Sequence, residues 1–216
     1  MEYLICIPVY KVSQRVYNCM ESIQDKNVLI IDNTGKKECS VFEKYNFKIE
    51  YQKENIGIPK SWNIGLKKKY DWTFIVSSSM FFKKPFSHII EIVNDYEGLM
   101  FRTNESWHCI GINKKLVENI GYFDENFYPG YYEDCDWDYR CSLFNIKEFP
   151  INKIEAKCQI SGAAILNGLK VNNLKNRDYF IKKWGAVNIP NKEYPHNWGK
   201  YKYPFNNPNN LLNYWQ

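Results

Sequence analysis

No apolar run in the 216-residue chain approaches the ~18 residues that a bilayer crossing needs, so no segment reads as a membrane-spanning helix. The opening MEYLICIPVY has no basic stretch ahead of its short apolar run and does not read as a secretory leader. Contact with a membrane is expected to be peripheral at most. No pair among the seven cysteines has C-x-x-C spacing, and their number is odd, which argues against a metal ribbon, a dithiol redox motif or a disulfide framework. Several sit in apolar runs, as reduced buried thiols do, and a cytoplasmic location follows as the expectation. A net charge of +5 falls short of the basic stripe of a nucleic-acid binder, although it suits a smaller anion such as a nucleotide. There is no internal repeat and no long linker, so residues 1–216 are expected to form one domain.

Aromatic residues, by contrast, are plentiful, at 17% of the chain with 17 Tyr and 7 Trp. Short β-rich apolar runs fall at 3–10, 27–33, 47–53, 71–79 and 98–103. Between them, helical spacing appears at 13–24, 58–70 (with Pro59 in the first turn), 85–96 and 113–121, the last closing on Gly121. A further helix is expected over about 133–144. Strand and helix alternating at short intervals predict an α/β fold with a mostly parallel central sheet flanked by helices. Ligands of such sheets bind beyond the carboxyl ends of the strands. That places Pro8 to Tyr10, Asp32 with Asn33, and Ser77 to Ser79 around one crevice. From 186 to 216 periodicity fades into Pro, Asn and aromatic residues, the pattern of an extended tail packed on the core.

The segment YYEDCDWDYR, 131–140, gathers Glu133, Asp134, Asp136 and Asp138 among rings, with Asp124 and Glu125 just upstream. Like charges beside poorly hydrating surface are costly, so something must compensate them: a metal, a cation, a proton or a polar substrate. The plainest alternative is a solvated acidic first turn of a helix.

Three motifs stand in order around this cluster. The first strand ends ICIPVY; ENIGIPKSWNIG has the form N-x-G-x-x-x-x-x-N-x-G; and FDENFYPGYYEDCDWDYR carries F-D-E-x-F followed by Y-E-D-x-D-x-x-x-R. With NRDYFIKKWG at 176–185 they resemble the GT-A-fold glycosyltransferases of the family 2 type, over about residues 3–185. The resemblance implies a single GT-A, Rossmann-like domain and transfer of a hexose-type sugar, with inversion, from a nucleotide-sugar (a UDP-sugar) to a glycan or other hydroxyl acceptor. It implies a nucleotide site at Pro8, Val9, Tyr10, Asp32, Asn55, Gly57 and Lys60, with Asp32 accepting from the base and Lys60 near the diphosphate, and Ser77, Ser78 and Ser79 are counted with these nucleotide contacts from their place at the crevice. Asp134 would be the catalytic base, Glu133 its neighbour in catalysis, and Asp136, Arg140 and Trp107 the acceptor contacts. A carboxylate with a raised pKa among like charges and rings is suited to taking a proton from an attacking hydroxyl.

One departure stands out. The fourth strand, where the family carries a D-x-D acid that helps hold Mn2+ or Mg2+, ends in Ser77, Ser78 and Ser79. Hydroxyls are weak ligands for such a cation. Either a metal draws on other ligands, His196 among them, or Lys60, His196, Lys200 and Lys202 meet the diphosphate directly. The alternative function is a GT-A-fold protein that binds nucleotide-sugar or glycan with little or no turnover.

Overall fold

The computed structural model describes residues 1–103, 105–146, 149–151, 154–159 and 173–184. The tail expected at 186–216, and with it His196, Lys200 and Lys202, lies outside the described residues.

The chain opens with β1 (Tyr3–Val9), α1 (Gln14–Ile23) and β2 (Val28–Asp32). A 3-10 helix (Glu38–Tyr45) leads to β3 (Lys48–Tyr51), then α2 (Ile58–Leu66) and β4 (Trp72–Val76). β5 (Met80–Phe82), α3 (Ser87–Asn94), β6 (Met100–Thr103), β7 (Ser106–Asn113) and α4 (Lys114–Ile120) follow. The acidic cluster opens α5 (Glu133–Leu143); β8 (Phe149–Ile151), β9 (Ala156–Cys158) and α6 (Asn173–Trp184) complete the described chain.

Seven strands form one sheet in the order β3-β2-β1-β4-β7-β6-β8. β1 pairs in parallel with β2 and β4, and β2 with β3. β7 runs antiparallel to both β4 and β6, and β8 parallel to β6. β5 and β9 form a small antiparallel pair.

The apolar runs of β1 and β4 follow from burial on both faces. Ile5, Ile7, Val9, Phe74 and Val76 enter a core with α1 and α3, while Leu4, Cys6 and Ile75 face the opposite side. Phe74 alone meets the rings of Tyr3, Trp72, Phe86 and Phe101, so truncating it to alanine should cost ~3–5 kcal/mol. α2 lies close on β1 because Gly65 has no side chain: a Cβ there would sit 2.8 Å from that of Cys6.

The parallel block β2-β1-β4 sets its carboxyl ends side by side. Val9 is in register with Asp32, and the Asn33 N–H donates to Val9 O at 2.8 Å. β4 ends one residue short of Ser77, whose N–H donates to His108 O at 2.8 Å. The three segments expected to share a crevice therefore share one edge of the sheet.

Candidate functional site

At this edge Tyr10 is 37% exposed, Pro8 is half-buried and Val9 is buried. Val9 was expected to line a nucleotide pocket; its side chain instead belongs to the core, because the β1 pleat turns it inward with Ile5 and Ile7. Asp32 is buried, and its carboxylate accepts from the N–H of Thr34 at 2.8 Å and of Cys39 at 3.0 Å. It fixes the turn after β2.

Asn33, beside it, ties the edge to the N-x-G loop. Its amide donates to Ser61 Oγ at 2.9 Å and accepts from the Ile56 N–H at 3.2 Å. Asn55 Oδ1 accepts from the Gly57 N–H at 3.0 Å, closing the loop on itself. Gly57 has φ +83° and is buried. Its expected role was to bring backbone to a nucleotide; the close approach it permits is to Tyr128 and Pro129, since a Cβ would lie 2.9 Å from Tyr128 Cδ2 and 3.2 Å from Pro129 O. The Ile58 N–H donates to Pro129 O at 2.8 Å and the Tyr128 hydroxyl to Asn55 O at 3.0 Å. Lys60 is exposed on the first turn of α2. One turn on, Asn63 exchanges two 2.9 Å hydrogen bonds with the backbone of Phe123 and donates to Glu125 Oε1 at 2.9 Å. The N-x-G and F-D-E motifs are thus one joined unit, running from the strand edge to the acidic segment.

Within that segment most of the charge is already compensated. Asp136 and Arg140, expected to meet acceptor hydroxyls, are both 0% exposed. At i,i+4 on α5 they pair through Nε at 3.0 Å, and Arg140 also donates to Ile120 O at 2.6 Å. Lys183 of α6, 1% exposed, lies 2.6 Å from Asp136 and 2.8 Å from Asp124. The Trp184 indole N–H donates to Asp136 Oδ1 at 2.8 Å, and the Tyr179 hydroxyl to Asp124 Oδ2 at 2.8 Å. Two acids and two bases share one dry site and balance in charge. Burial pushes Asp124 up, but the charge and hydrogen bond of Lys183 hold it below the usual carboxylate range. Burial lowers Lys183, opposed by Asp136 and Asp124. Asp136 and Arg140 therefore hold α5 in place and are out of an acceptor's reach.

Asp138 pairs with Arg102 and accepts from the Trp107 indole N–H at 3.4 Å. Trp107, also expected at an acceptor, is half-buried, with the Arg102 guanidinium 4.5 Å above its ring and Trp62 near-parallel to it at 6.0 Å. Its ring is engaged within the protein.

Glu133 and Asp134 remain. Glu133 is 5% exposed, and its Oε2 has no hydrogen-bond partner among the described residues. Burial first, then the charge of Asp134, pushes its carboxyl well above the usual range. Asp134 is half-buried; its Oδ1 accepts from the Cys135 N–H at 2.8 Å, and no described cation pairs with it. The two acids sit at the N-terminus of α5, entered through Tyr131 and Tyr132 with φ +75° and +73°. For residues with a Cβ each such conformation costs roughly 1–3 kcal/mol, so surrounding contacts must hold the turn.

The serines form a chain: Ser77 Oγ and Ser79 Oγ are 2.8 Å apart, and Ser79 Oγ is 3.3 Å from Cys158 Sγ. Ser78 is half-buried between them in sequence, and Ser79 is buried. Hydroxyls bonded to one another do not fit a hard divalent cation, which takes charged or carbonyl oxygens. Among the described residues no cluster of three His, Cys, Asp or Glu side chains could hold a metal. No described helix is long and apolar enough to cross a membrane.

The sequence reading placed Asn33 at the crevice and Asn63 within the N-x-G motif without naming their partners, and it assigned no role to Arg102, Asn176 or Lys183, all of which shape this region. Only Asp136 and Arg140 carried a local pairing signal, their i,i+4 spacing.

No protein-family model matches the chain, and no curated protein sequence does. Solved structures do. The mannosyltransferase PcManGT from Pyrobaculum calidifontis, in complex with GDP-Man and Mn2+, superposes with TM-score 0.64 at 9% identity, over 87% of this chain and 66% of that one. GalNAc-T7 with UDP, GalNAc and Mn2+ gives TM-score 0.63 at 9% identity, over 85% and 48%. S. aureus TarS 1-349 gives TM-score 0.57 at 14% identity, over 71% and 59%, so the chain spans less than two thirds of that structure. With the sheet order and the strand-edge site in place, the chain has the GT-A fold of glycosyltransferases.

Proposed function

We propose that the chain is an inverting glycosyltransferase that moves a hexose-type sugar from a UDP-sugar to a hydroxyl of a glycan or other acceptor, with Asp134 as general base. The observation that carries this reading is the state of the acidic cluster. Asp124, Asp136 and Asp138 are each bound to a cation, whereas Asp134 is partly exposed and has none among the described residues. A carboxylate free to accept is what an attacking hydroxyl requires. The acceptor O–H proton passes to Asp134 as its oxygen bonds to the anomeric carbon. The bond from that carbon to the diphosphate breaks on the opposite face, and the nucleoside diphosphate leaves with the electron pair. Lys60 supplies positive charge near the departing phosphates. No step is routed through a metal, because the serine chain does not fit one.

PcManGT and TarS 1-349 were solved with GDP-Man and UDP-GlcNAc respectively, which supports a nucleotide-sugar donor. A second reading, a nucleotide-sugar or glycan binder with little turnover, draws on the absence of a carboxylate at Ser77 to Ser79. The test is thermal shift with UDP, followed by nucleotide release from a panel of UDP- and GDP-sugars. Release supports the transferase; a shift without release supports the binder; the absence of both would remove a nucleotide-sugar function.

A further inference from the structure

The turn that delivers Glu133 and Asp134 is strained at two consecutive residues, and α5 begins at Tyr132 with no side chain capping it. What holds the turn comes from α6. The Asn176 amide nitrogen donates to Gly130 O at 2.7 Å and to Tyr131 O at 3.2 Å. Both partners are carbonyls, so only the NH2 end can face them. Asn176 is 1% exposed, and its own Oδ1 has no partner among the described residues. What this side chain supplies to the turn is its two donors. On the same helix, Phe180 packs 5.6 Å from the Tyr132 ring. Further along, Lys183 and Trp184 grip Asp136 in the first turn of α5. α6 therefore contacts the chain on both sides of Asp134, with Asn176 on the Gly130 and Tyr131 carbonyls before it and Lys183 on Asp136 after it.

We propose that Asn176 is a positioning residue for Asp134: by pinning the Gly130 and Tyr131 carbonyls it holds the left-handed turn that aims the carboxylate. The assignment rests on Asp134 being the base. Asn176 itself touches neither the carboxylate nor any expected ligand position.

The experiment uses the full chain and compares wild type, Asn176→Ala, Asp134→Asn and the double variant. It measures nucleotide release at saturating donor together with UDP affinity. Misaiming the base should lower kcat by about 10-fold or more, with UDP affinity and donor KM within about two-fold of wild type. Because Asn176 acts through Asp134, Asn176→Ala should not lower the residual rate of Asp134→Asn further. A purely structural role would multiply the two losses, and that result overturns the proposal, as does an Asn176→Ala rate equal to wild type. If the alanine variant fails to fold, Asn176→Asp, of the same shape but without donors, enters the same cycle. A wild-type chain that releases nucleotide, with Asp134→Asn equally active, removes the base reading and the positioning role together; an active wild type with unaffected Asn176 variants removes the positioning role alone.

Discussion

The Lys183 ammonium stands 2.6 Å from Asp136 Oδ1, with 1% and 0% of the two side chains exposed. The same ammonium reaches Asp124, so one α6 cation joins the F-D-E motif to the E-D-x-D helix. The cost of crowding carboxylates among rings is therefore met largely inside the protein, and Asp134 is left over.

Removing that cation should be severe. Lys183→Met leaves two buried carboxylates short of a partner, and the loss should be ~3–5 kcal/mol. In a chain of this size each kcal/mol lowers Tm by about 2–4 °C. Adding Asp124→Asn should recover part of the loss. Thermal and urea unfolding check both; a single-variant loss below ~1 kcal/mol would mean that the buried network contributes little.

Glu133 makes stability depend on pH in a definite direction. Unfolded, it ionises near ~4.3. Folded, burial and Asp134 keep its proton to higher pH. Its stabilising effect is therefore complete below that unfolded value and drains away as pH rises toward the folded one. Glu133→Gln, which cannot ionise, should lose this slope. Urea midpoints measured from about pH 4.3 upward, the unfolded carboxyl's value, should show the variant gaining on wild type as pH rises; parallel curves would contradict it.

Much of this architecture was legible in the sequence, for a physical reason. β1, β2 and β4 are buried on both faces, so their apolar runs are continuous, and β1 and β2 stop at Pro8–Tyr10 and Asp32–Asn33, which mark the edge. β7 was not legible. Its interior Gly111 breaks the strand pattern, and it is there because Phe101, in register opposite, fills its place: a Cβ would lie 2.0 Å from that ring. β5 and β9 are three residues each, too short for periodicity. Asp136 was read as an acceptor contact because its decisive partners, Lys183 and Trp184, lie far from it in sequence, and Arg140, paired to Asp136 and to Ile120 O, is buried with it. A charged residue's role depends on what is folded against it, which local pattern does not carry.

Asp32→Ala should act twice. It strips the acceptors from the half-buried Thr34 N–H and the buried Cys39 N–H, at about 1–3 kcal/mol for the buried donor left unpaired, and it should weaken UDP binding. Calorimetry with UDP, beside unfolding curves, separates the two. Lost stability with unchanged UDP affinity would confine Asp32 to the turn.

The serine chain bears on metal dependence. Turnover should survive EDTA at least in part, and Ser79→Asp, which introduces a charged oxygen, should make the rate more dependent on added Mn2+. Abolition by EDTA and restoration by Mn2+ in the unmodified chain would contradict this.

The most direct measurement is nucleotide release from a sugar donor, wild type against Asp134→Asn, at equal UDP occupancy. Loss of a general base predicts UDP affinity unchanged and turnover lower by ~10²-fold or more. Near-normal turnover in Asp134→Asn would contradict the central claim and remove Asp134 from the reaction.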